Sequence, residues 1–73
     1  MEWRKIRRNS DGFVNEHTLD YMYVQLPLIV MDKHDNEVIL VNKENWLDMR
    51  GEIDRHYTYS HYLPIPELKE IAL

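Results

Sequence analysis

Two short apolar runs, Leu28-Ile29-Val30-Met31 and Val38-Ile39-Leu40-Val41, stand on either side of a polar stretch from Asp32 to Glu37. Strand-forming residues interrupted by a polar, turn-forming insert predict a β-hairpin over about residues 28–41. Asp35-Asn36 is its expected tip, because both side chains bond their own main chain and tolerate a left-handed backbone. Each run is apolar at consecutive positions, so both faces of the strand pair call for cover. A helix on one side and a partner on the other would supply it. Ile29, Val30, Val38 and Leu40 are therefore expected among the buried or interface side chains.

The flanking segments read as shorter elements. Glu2 to Arg8 alternates loosely around Trp3 and Ile6 and predicts a first strand, followed by a turn at Ser10-Asp11-Gly12. Tyr21 to Gln25 is aromatic and β-branched and reads as a strand running into Pro27, which marks a bulge, edge or bend. A short helix capped by Asn15 or Thr18 and leading into Tyr21 is the alternative. Beyond the hairpin, Asn42 stands at a helix N-cap position and Gly51 follows Arg50, so a two-turn helix is predicted over 43–50. His56 to Tyr62 has strand composition, with Tyr57, Tyr59 and His61 on one face and His56, Thr58, Ser60 and Tyr62 on the other. Leu63 to Pro66 is extended, and Pro66 opens a last helical turn over 66–72. The sum is a single α+β domain, residues 1–73, with an antiparallel sheet of three to five strands and one or two short helices.

Composition narrows the function. At 73 residues, 44% of them hydrophobic, the chain is one small folded domain and not a disordered segment. No apolar run approaches the roughly 18 residues of a membrane span, and the N-terminus lacks the pattern of a signal peptide, so a cytoplasmic protein is expected. The absence of cysteine excludes disulfides, thiolate metal sites and thiol catalysis. Charge is segregated: residues 1–8 carry Arg4, Lys5, Arg7 and Arg8 against Glu2, a net of +3, and residues 9–73 carry a net of −7. A basic end on an acidic body is not the pattern of a general nucleic-acid binder, which is basic over a whole face.

No motif for catalysis or cofactor binding stands out. His56 and His61 are five apart in an expected strand and point to opposite faces, while His17 and His34 fall in loops with no second ligand at a familiar spacing. Asp32, Asp35 and Glu37 lack the alternating carboxylates and central glycine of a calcium loop and read as a solvated turn. Two glycines do not make a phosphate loop, and neither serine lies in a nucleophile elbow. No metal, cofactor or enzymatic activity is expected. Tyr57, Tyr59 and Tyr62 could stack bases, yet Glu52, Asp54 and Arg55 surround them where such a platform wants cations. Half-buried positions on the sheet with solvated hydroxyls suit them best, and a protein-docking face is the next reading.

The segment Tyr59-Ser-His-Tyr-Leu-Pro-Ile-Pro-Glu67 resembles the ending, roughly V-T-H-W-M-P-L-P-E-P-P, of a family of small phage and prophage proteins called domain of unknown function 551. Ser60, His61, Tyr62, Pro64, Pro66 and Glu67 take the signature positions, with Tyr62 where the family has tryptophan and Leu68-Lys69 in place of the closing prolines. Glu2-Trp-Arg-Lys-Ile6 echoes the family's opening strand. The resemblance implies a phage or prophage origin, with the host cytoplasm as location, and carries no activity with it.

The expected function is that of a non-enzymatic accessory protein that binds and modulates or inhibits a host, defence or phage protein. Its acidic surface, Asp32, Asp35, Glu37, Asp48, Glu52 and Asp54 with Tyr57 and Tyr59, would meet a basic partner. A nucleic-acid-associated role for the basic strip Arg4, Lys5, Arg7 and Arg8 is the alternative. Self-association, most simply a dimer, is expected because two short helices can cover only one sheet face.

Overall fold

The computed structural model describes residues 2–65, so the last helical turn expected over 66–72 lies outside the described residues. The elements run β1 (Arg4–Lys5), α1 (Glu16–Val24), β2 (Leu28–Asp32), β3 (Glu37–Val41), α2 (Trp46–Arg55) and β4 (Tyr59–Pro64). The four strands form one antiparallel sheet in the order β1-β4-β2-β3. It is an α+β fold.

The central hairpin forms as expected, with Leu28 opposite Val41 and Asp32 opposite Glu37. Asn36 takes a left-handed backbone at the tip, φ 56°. Its two faces fare differently. Leu28, Val30 and Val41 point inward, fully buried, against Leu19 and Met22 of α1 and Trp46 and Ile53 of α2. Ile29, Met31, Val38 and Leu40 point to the other side. Of the four side chains expected to be covered, Val38 and Leu40 are instead exposed and Ile29 is half-buried.

The segment read first as a strand, Tyr21 to Gln25, is the end of α1 and its C-cap. The Asn15 side chain accepts from the His17 N–H at 2.8 Å, and Glu16 occupies the favourable first turn. Leu19 and Met22, three apart, bury one face, while Tyr21, Tyr23 and Val24 stay exposed on the other. The inward pair and the cap override the strand propensity of the tyrosines.

Helix α2 starts and ends later than the expected 43–50. Asn42 caps a preceding turn, its side-chain oxygen accepting from the Glu44 and Asn45 N–H groups at 2.9 and 3.0 Å. Asn45 returns the favour, accepting from the Asn42 N–H at 2.8 Å and donating to the Leu40 carbonyl at 3.0 Å. The helix then carries Trp46, Met49 and Ile53 inward and passes through Gly51, which does not terminate it.

Strand β1 is shorter than the 2–8 segment expected. Beyond it, an Arg8–Val14 bridge closes a tight loop over the expected turn, where Gly12 sits at φ 91°. In β4 the expected facing breaks at one residue. Met31 pairs with His61 and Asp32 with Tyr59, so Ser60 is the extra residue of a bulge. The bulge turns Tyr59 and Tyr62 to the same buried face and leaves His61 on the outer one. Residues 56–58, read as strand, form the turn before it.

Candidate functional site

Three surfaces emerge. The first is acidic and lies where the hairpin tip approaches the C-terminal end of α2. A cleft of about 370 Å³ is lined by Asp32, His34, Asp35, Glu52, His56, Thr58 and Tyr59. The fold therefore brings Asp32, Asp35, Glu52 and Tyr59 of the expected acidic surface together. Asp32 is buried and accepts the His34 N–H at 3.0 Å, which shapes the turn. The His34 ring nitrogen lies 2.9 Å from Asp35, and the hydrogen bond to that carboxylate pushes the exposed imidazole above its ordinary value of 6.5. The stability this pair contributes is present below the ordinary value and is lost as pH rises through the elevated one. His56 stands 2.9 Å from Glu52 at i,i+4 on α2. Burial, followed by the charges of Asp32 and Glu52, pushes the Tyr59 phenol upward and keeps it neutral.

The remaining expected members lie elsewhere. Asp48 is exposed in the first turn of α2, where a carboxylate complements the helix dipole. Asp54 accepts the Val14 N–H at 2.9 Å and is a structural tie. Glu37 pairs with Asp32 across the hairpin without lining the cleft. Tyr57, 78% exposed, faces the basic side instead. Sequence reasoning missed His34 and His56; the Glu52–His56 spacing becomes visible only once the helix extends past Gly51. Among the described residues, no three His, Asp or Glu side chains group in a way that could hold a metal ion.

The second surface is basic, and one of its four residues leaves it. Arg8 turns inward and donates to five backbone carbonyls: Gly12 at 3.0 Å, Ile53 at 2.6 Å, Asp54 at 3.1 Å, His56 at 2.8 Å and Tyr59 at 3.3 Å. Three of these belong to the last turn and cap of α2, where the free carbonyls and the negative dipole end favour a cation. Burial lowers the Arg8 pKa, with Asp54 opposing the shift. Arg4, Lys5 and Arg7 remain exposed. They line a cleft of about 560 Å³ with His17, Thr18, Tyr21 and Tyr62. Arg4 lies 5.8 Å over the Tyr21 ring and donates to Gln25 at 3.0 Å. The Tyr62 hydroxyl is the main cause holding Arg4 above its ordinary range.

The third surface is the outer sheet face. Ile29, Leu40 and Leu63 lie side by side across three strands, with Met31, Val38 and His61 in the next row. Val38 and Leu40 are exposed, and Ile29, Met31, His61 and Leu63 are half-buried. Among the described residues β3 is an edge strand, with one side of its backbone unpaired. Comparison of the chain with family models, curated proteins and solved structures found no match.

Proposed function

We propose that this chain is a non-catalytic accessory protein that binds another protein through its outer sheet face and the edge of β3, and so modulates or blocks it. The observation that carries the reading is the outer-face patch of Ile29, Met31, Val38, Leu40 and Leu63, exposed at Val38 and Leu40 and half-buried at the other three, continuing into an edge strand whose only charged residue is Glu37. Apolar area left open next to unpaired backbone suits a partner that adds a strand and lays its alternate side chains on the sheet. Asp35 and Glu37 at the entry of β3 favour an extended apolar segment flanked by lysine or arginine.

The test begins with capture from a nuclease-treated bacterial lysate, after which the retained protein is purified and titrated. Val38→Lys with Leu40→Lys, both at exposed positions, is expected to weaken the measured affinity at least about tenfold, or ~1.4 kcal/mol, with an unchanged circular dichroism spectrum. Equal affinity of variant and wild type, or capture that vanishes with nuclease, rejects the reading.

A further inference from the structure

The basic side of the molecule holds two clefts. The cleft holding Arg4, Lys5 and Arg7 adjoins a second one of about 400 Å³, and Lys5 and Arg7 line both. No carboxylate among the described residues lines either. Among the described residues, none of these three cations forms an ion pair. The chain as a whole has a net charge of −4, yet these three exposed cations share one groove. Arg4 is held in place between the Tyr21 ring and Gln25, so its guanidinium is already oriented. The second cleft adds Tyr57, an aromatic ring 78% exposed beside Lys5 and Arg7.

We infer that this groove binds single-stranded nucleic acid, with Arg4, Lys5 and Arg7 on successive phosphates and Tyr57 stacked on a base. An acidic peptide would satisfy the cations equally well but gains little from a bare tyrosine face, whereas every base has a face to stack. Duplex lacks an unstacked base to offer it. The site does not depend on the protein-binding reading of the sheet face, which lies on other residues.

Fluorescence anisotropy of the full chain with a labelled oligothymidylate of about ten nucleotides tests the inference at low salt. Saturable binding is expected, with a log–log salt slope of about −2, as three phosphate contacts on a single strand imply. Lys5→Ala with Arg7→Ala should weaken it at least about tenfold, both residues being exposed. Tyr57→Ala should weaken the oligothymidylate about threefold or more and leave an abasic strand of equal length unaffected. No saturable binding, indifference to the Lys5/Arg7 variant, equal loss on the abasic strand, or equally tight binding of polyglutamate each overturns it.

Discussion

Arg8 shows how far a residue's role can depart from its neighbourhood in sequence. Four cations lie within five positions, and nothing in their order distinguishes the one that turns inward. Its acceptors are main-chain carbonyls, which every sequence possesses, so the distinction arises only when α2 ends beside the loop after β1. Charged hydrogen bonds contribute roughly 1.5–3 kcal/mol each, and bonds sharing one guanidinium do not add in full. Arg8→Ala is expected to cost about 2–4 kcal/mol in urea unfolding. Arg8→Lys should recover less than half of that, because a point ammonium cannot serve five acceptors in a plane. Arg7→Ala, at an exposed position, should stay within about 0.5 kcal/mol. A larger loss at Arg7 than at Arg8 would reverse the assignment. The acidic cluster has the same lesson in milder form. Asp32, His34 and Asp35 share one turn that is legible in the sequence, but Glu52 and His56 join them only through the approach of α2.

At the scale of elements, the hairpin was the most legible part, because two β-branched runs and an Asp-Asn tip agree on one structure. The helices were legible in kind and not in extent. Asn15 capped α1 as one reading allowed, yet the tyrosines argued for a strand until the Leu19–Met22 spacing is seen to bury one side. In α2, Gly51 looked like a terminator; Ile53, two residues beyond it, is fully buried and draws the helix onward. A glycine inside a helix should then be improvable. No atom lies within 4 Å of a methyl group added at Gly51, so Gly51→Ala is expected to stabilise the fold by about 0.5–1 kcal/mol. Gly12→Ala, at φ 91°, should destabilise it by about 1–2 kcal/mol despite equally open space. Paired chemical-denaturation curves read both signs, and a loss at Gly51 would mean that the helix does not pass through it. The Ser60 bulge left no trace in composition, since strand faces were assigned by strict alternation and one extra residue inverts everything before it.

For the whole molecule, the consecutive apolar residues of the hairpin divide between two faces: Leu28 and Val30 belong to the core, and Ile29 and Met31 to the outer, half-buried side. Without another partner, two copies are expected to pair along β3. Antiparallel pairing would set the acidic entry of one strand, Asp35 and Glu37, against the other copy's exit near Lys43, and Val38 against Leu40. Light scattering should give a mass that rises above 8.9 kDa with concentration, and Val38→Lys with Leu40→Lys should hold it at 8.9 kDa. A concentration-independent monomer for the wild-type chain rejects this pairing. The strand order has a consequence for synthesis. β1 is the first described strand to leave the ribosome, and its only neighbour, β4, is the last. Arg4 has no strand beside it until Tyr62 is made, and Arg8 waits for carbonyls between positions 53 and 59. The basic arm is thus made before the strand and the carbonyls that dock it, and Arg8 stays in water until they appear.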